Sequence, residues 1–221
     1  MHLTRSPPTL PVMDARQETQ QNPYGMDENC TNCARADERA RVVHGYGDAS
    51  ADFVFVGHTP SEAAETAGVP FVGDEAGERF QDILGNLGLN NSLPTSTSPE
   101  LDNAYLCYLA RCRHPDHAPT DDELRACEPY LTADIRMINP EIIVPVGERA
   151  LDEIAREYTT TPAGELSVDD HHATSVRGRG FELVPMKHPG RMTDHDKEQF
   201  ITSFLDLMQT DYRQTKGRRG R

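Results

Sequence analysis

Four cysteines carry the sharpest chemistry in this 221-residue chain. Cys30 and Cys33 form a C-x2-C pair, and Cys112 and Cys127 follow as C-x14-C. Four thiolates so arranged could meet at one metal, and in a reducing compartment zinc or iron-sulfur ligation is the first reading, ahead of disulfides. Spacing alone leaves zinc and a cluster both open. The fifth, Cys107, falls in the middle of an expected strand and reads as a small core residue. Cations form a second chemical theme. Arg111, Arg113 and His114 follow one expected strand, Arg177 and Arg179 precede another, and Lys187, His188 and Arg191 close it. Such gathering near strand ends could hold phosphates, and TKGRRGR adds a basic end to the chain.

The elements that must position these groups alternate between strand and helix. Phe53 to Val56 is a short apolar run stopped by Gly57, as expected of a strand buried on both faces of a parallel sheet. A long loop with Pro60, Gly68, Pro70 and Gly73 runs from it to a helical pattern starting at Glu75. Long loops after α/β strands are usually functional, and open sheets bind ligands at the strands' carboxyl ends. Phe80, Ile83, Leu84 and Leu87 recur at helical spacing, with Gly88 as the stop; residues 90–103 read as a polar insertion.

Tyr105 to Ala110 is the second core strand, and Thr120 to Glu123 is a capping box opening a helix that ends at Pro140. Ile142 to Gly147 reads as a third strand, in which Pro145 removes a ladder donor and could place a bulge. A helix over 148–158, a polar loop over 159–175, a last strand from Phe181 to Met186 and a helix capped by Thr193 complete the pattern. The expected fold is α/β, a three-layer α/β/α sandwich on a central, mainly parallel four-stranded sheet. One domain over residues 23–211 is expected, with a disordered N-terminal tail over 1–22 and a basic C-terminal tail over 212–221.

The net charge is −14, from 36 acidic and 22 basic residues, and only Lys187, Lys197 and Lys216 are lysines. An acidic, lysine-poor surface suits concentrated salt, which screens its self-repulsion, so a halophilic host such as a halophilic archaeon is expected. The N-terminus lacks the apolar core of a signal peptide and no apolar run approaches a membrane span, which predicts a cytoplasmic protein.

The motifs occur in the order of a known family. Cys30-x2-Cys33 precedes VVHGYGDASADFVFVG, then Gly57-x2-Pro60, Gly68-x-Pro70-Phe71-Val72-Gly73, Cys112-Arg113-x-Pro115, PTDDELRACEPYL, INPEIIVPVGERAL and His188-Pro189. Over about residues 25–190 the chain resembles the iron-sulfur uracil-DNA glycosylases called family 4, and its GDEAG segment resembles the sister family 5. The resemblance implies a glycosylase of DNA base-excision repair that hydrolyses the N-glycosidic bond of uracil or another deaminated base. It implies a structural 4Fe-4S cluster on Cys30, Cys33, Cys112 and Cys127, with zinc as the alternative. Phe71 matches the ring that stacks on the flipped base, and His188 the donor to the leaving base. Gly57 and Pro60 match the loop against the sugar. Arg113, Lys187 and Arg191 are the expected DNA contacts of a monomer that has no membrane attachment.

Two positions depart from the family pattern. His58 stands where family 4 carries an acidic residue that positions the attacking water, and Tyr108 stands where an asparagine reads the uracil edge. Imidazole can act as a base but does not stabilise a cationic sugar, and a phenol offers one hydroxyl in place of an amide's donor and acceptor. Glu62, Glu65 and Asp74 are the carboxylates that could substitute. These departures keep a second reading, a non-catalytic or covalently trapping DNA-binding member of the same superfamily, with His58 as the trapping candidate.

Overall fold

Alternation along three strands determines the layers. The computed structural model describes Gln17, residues 19–162 and residues 164–213. In β2 (Phe53–Gly57), Phe53 and Phe55 face one side while Val54 and Val56 face the other, and β3 (Ala104–Tyr108) and β4 (Ile142–Pro145) alternate in the same way. The first side packs on Phe80, Ile83 and Leu84 of α2 (Glu75–Asn86) and on Phe200 and Phe204 of α6 (Asp194–Gln209). The second packs on Leu124, Leu131 and Ile135 of α3 (Asp121–Ile138) and on Ile154 of α4 (Glu148–Tyr158). The result is the expected three-layer sandwich.

The sheet holds six strands in the order β1-β3-β2-β4-β6-β5. Its four central strands, β3, β2, β4 and β6 (Glu182–Leu183), are parallel. Short antiparallel edges flank them, β1 (Tyr46–Gly47) on β3 and β5 (Val176–Arg177) on β6. The expected four-stranded sheet is therefore the centre of a six-stranded one; a two-residue strand carries too little alternation to stand out from a turn. Pro145 places no bulge. The β2–β4 register runs unbroken from Phe53 opposite Ile142 to Val56 opposite Pro145, and the next residue, Val146, donates its N–H to Val56.

Two segments expected to be loops contain helix. α1 (Glu62–Ala67) lies inside the long loop after β2, capped by Ser61 and closed by Gly68 in a left-handed conformation. The 159–175 segment contains α5 (Val168–His171), capped by Ser167. Both are too short for helical periodicity to show against their polar neighbours. The capping box of α3 joins Thr120 and Glu123 in both directions, and Thr193 and Asp196 cap α6 likewise. Cys107 is fully buried in β3, as expected of a core residue.

Of the tail expected over 1–22, Gln17 donates to the Gly47 carbonyl and Gln20 bonds Leu101 in both directions. Residues 1–16 and 18, and the basic tail beyond Arg213, lie outside the described residues. At the other end Tyr212 bonds Asp52 and packs its ring on Phe53. Among the described residues no helix is long and apolar enough to cross a membrane.

Candidate active site and cysteine site

The parallel strands deliver their carboxyl ends to one edge of the domain, and the expected site residues gather there. Gly57 ends β2 and Tyr108 ends β3, paired side by side. A Cβ at Gly57 would come within 2.6 Å of the Phe71 ring and 2.8 Å of the Tyr108 ring, so glycine is required for both rings to lie against the strand end. Phe71 adopts a left-handed backbone, φ +56°. Two bonds hold it there: its N–H donates to the Tyr108 hydroxyl at 2.8 Å, and its carbonyl accepts from Gln81 Nε2 at 3.0 Å. Desolvation pushes the Tyr108 hydroxyl well above the ordinary phenol range, so it stays protonated.

His188 follows β6 and caps the turn Pro189–Arg191. Its Nδ1 accepts the Gly190 N–H at 3.2 Å, so in the neutral ring the proton sits on Nε2 and is free to be donated. The turn sits between two elements: Gly147, just after β4, faces the His188 side chain, and Gly190 faces Ala76 on α2. Behind it, the Lys187 N–H donates to Nδ1 of the buried His172, whose Nε2 bonds the Asp196 carbonyl at 2.9 Å. Partial desolvation and then Arg191 lower the His188 pKa, and the Asp74 carboxylate opposes them.

His58 begins the loop after β2, its carbonyl accepting the Ala110 N–H at 3.0 Å. Nε2 is buried without a partner. Desolvation, then Arg149 and Arg35, push its pKa down to about 4, so the ring is neutral at physiological pH. Of the three carboxylates that could substitute at this position, Glu65 is buried and accepts the Ala40 N–H, and Glu62 pairs with Arg113 at 3.5 Å. Only Asp74, the cap of α2, acts electrostatically on both His188 and Tyr108. Pro60 is buried in the same loop.

The expected DNA contacts differ in how free they are. Arg191 is exposed in the turn after His188. Arg113 is engaged by Glu62, and the Lys187 ammonium lies 2.7 Å from Asp196 and 3.6 Å from Asp169. Lys187 therefore fastens α6 to the histidine turn.

The four cysteines lie near one another beyond this loop system. Cys30 and Cys112 pack with Val42 and Tyr130 in one small buried cluster. Burial pushes the Cys112 thiol up to about 12, with Cys127 and Cys33 near enough to raise it further. Cys127 in turn senses Cys33 and Cys30. Yet among the described residues no three His, Cys, Asp or Glu side chains converge on a point where one metal ion could sit.

Sequence reasoning missed the residue that ties this region together. Arg35, 1 % exposed, places Nε 3.0 Å from Glu123 and donates to the carbonyls of Cys112 (3.3 Å) and His117 (3.2 Å). It thereby joins the turn after Cys33, the loop after Cys112 and the helix start before Cys127. A lone arginine two residues past a C-x2-C carries no periodic signal.

Loops at the carboxyl ends of parallel strands are where open α/β sheets handle ligands, and the donor, rings and close turns found there define a domain of that class. The sequence as a whole specifies it further. The chain belongs to the Uracil DNA glycosylase superfamily, whose family model matches residues 44–209. It is 34% identical over 169 residues to a type-4 uracil-DNA glycosylase of Thermotoga maritima, covering 73% of this chain and 77% of that protein. A type-5 uracil-DNA glycosylase of Thermus thermophilus is 35% identical over 175 residues, 76% of this chain and 78% of its own length. A type-4 enzyme of Archaeoglobus fulgidus is 30% identical over 166 residues, 73% and 76% of the two chains.

Proposed function

We propose that the protein is a monofunctional DNA glycosylase that removes uracil, or another deaminated base, by hydrolysing its N-glycosidic bond. The observation that carries this reading is the Gly190 N–H bond to His188 Nδ1, which leaves Nε2 to carry the proton of the neutral ring. As the bond breaks, negative charge develops on the departing base, and a fixed donor at the rim stabilises it in the transition state. The base must first leave the duplex, for which Phe71 is the stacking ring. Exposed Arg191 follows three residues after His188 in the same turn, within reach of phosphate.

The water that attacks the sugar lies against the Gly57 to Ser61 loop. His58 with its depressed pKa is neutral there, and so adds no positive charge beside a cationic sugar. Asp74, next to His188, is the carboxylate that supplies the negative field His58 lacks.

The cysteine site fits a 4Fe-4S cluster. Four thiols are the donor set such clusters take, and Cys112 and Cys127 each lie near other cysteines of the set in a largely buried region; zinc takes the same donor set and is the alternative. Cys30, Cys33, Cys112 and Cys127 would hold it, and its contribution when bound is to cross-link the two loops structurally. The acidic, lysine-poor composition supports a host with concentrated internal salt.

The test is base release from a uracil-containing single-stranded oligonucleotide in high-potassium buffer, with His188→Ala beside the wild type. Release that falls by roughly 10²-fold in the variant is the expected result. DNA binding without release at any salt concentration would refute the glycosylase and favour a binding protein.

A further inference from the structure

Little of Phe71 is exposed. Phe80 stacks on it with ring centroids 4.3 Å apart and planes 20° from parallel, and Tyr108 lies 4.8 Å away at 35°. At those centroid distances and angles both rings pack against the faces of the Phe71 ring. Phe71 is accordingly 8 % exposed and Tyr108 4 %. A flipped base that stacks on Phe71 needs one of those faces. Phe80 is fixed in the core of α2, with no exposure and an edge-on contact to Phe55. Tyr108 is the ring at the strand end, where the site lies.

We infer that Tyr108 is a specificity-determining gate: its ring occupies the place over Phe71 that the base would take, and a base enters only when that ring gives way. The inference rests on the glycosylase reading for its ligand, a pyrimidine base, and on the ring geometry for the rest. The Phe71 N–H bond to the Tyr108 hydroxyl latches the closed arrangement, and the Gly57 backbone fits against both rings so that neither can settle deeper. A gate of this kind lowers apparent affinity by the fraction of time it stands open. It also favours bases already unpaired or mismatched, which contribute more of their own energy to displacing the ring.

The experiment compares binding of free uracil, by ligand-observed NMR, to the full-length wild type and to Tyr108→Asn, Tyr108→Val and Tyr108→Phe, with a thermal melt of each. Two small replacements are used so that a folding defect in one leaves the other. The gate predicts that Asn and Val each bind uracil about tenfold tighter than wild type or better, while Phe, which keeps the ring but loses the latch, falls between wild type and Asn. Equal affinities in all four proteins would overturn it. So would a Phe variant as open as Asn, because the latch and not the ring would then be the obstruction. Base release from the uracil oligonucleotide is read in parallel and judges the glycosylase separately. Tighter uracil binding with no release from any protein would uphold the gate and remove the enzyme.

Discussion

Replacing Arg35 by methionine should loosen the cysteine site and cost a calculable share of stability. The guanidinium is 1 % exposed and reaches Glu123, the Cys112 carbonyl and the His117 carbonyl. Methionine fills much of the same volume, so the loss is polar and not a cavity. Removing one partner of a buried ion pair costs about 3–5 kcal/mol, because the other charge is left without compensation. Glu123 keeps the Thr120 N–H at 2.8 Å and a side-chain exposure of 11 %, which sets the expected loss at the lower end, about 3 kcal/mol. In a domain of this size that corresponds to a fall in Tm of about 6–12 °C. The assay is a far-UV melt with visible absorbance and iron content followed on the same sample. Iron should be lost below the unfolding transition in Arg35→Met, and Arg35→Lys, which keeps the charge without the planar fork, should fall between. A Tm within about 2 °C of wild type together with unchanged iron would refute the clamp.

Desolvation first, and then Arg149 and Arg35, keep His58 neutral; the two arginines would favour a carboxylate in its place, so His58→Glu should raise single-turnover base release by about tenfold or more; an unchanged or slower rate would show that the attacking water is not held there. The Asp196 carboxyl is held well below the ordinary carboxylate range by Lys187 and Thr193, so the unfolded chain takes up its proton first as pH falls. Its stabilisation is complete above the ordinary carboxylate value of about 4 and fades as pH drops below it, and Asp196→Asn should flatten the wild-type fall in Tm over that window. Arg191→Ala should reduce the salt slope of DNA binding by about one, while Arg113→Ala, whose charge already pairs with Glu62, should change it less; equal slopes for all three proteins would contradict the placement of Arg191 on phosphate.

Periodic burial made most of the fold legible, and pairwise geometry hid much of the site. The apolar runs at 53–56 and 142–144 and the capping boxes at Thr120 and Thr193 are local signals, and each marks an element of the observed sandwich. β1 and β5 are two residues each, and α1 and α5 a turn or so, below the length at which a period can be counted. Gly57 and Tyr108 stand at the paired ends of β2 and β3 with Phe71 against them, and His188 follows β6 beside Gly147 at the same end of the parallel strands. That Asp74 and not Glu62 or Glu65 would neighbour His188 depends on how α2 packs on the Pro189 turn. No spacing encodes that. The covering of Phe71 by Tyr108 is similarly a matter of two rings from segments 37 residues apart.

The cysteine segments and the loop after β2 are mechanically one assembly. The Cys112 carbonyl accepts from Thr59 at 3.1 Å and from Arg35 at 3.3 Å, so the residue after His58 and the clamp between the cysteine segments pull on the same atom. Between Asn22 and Gly45 the only regular element is the single turn Ala34–Asp37, and the loop from Leu109 to Thr120 has none. Such segments bury little apolar surface of their own, and a loop without it fluctuates unless tied. Among the ties are the Val43 N–H to the Arg111 carbonyl, the buried Arg111–Asp134 pair that anchors the loop to α3, and Arg35. Each tie restrains the loop against which His58 and Thr59 rest. A group bound by the cysteines would therefore act on base release through the position of that loop and without taking part in the chemistry, which is why its loss should slow release while leaving the pH dependence set by His188 unchanged.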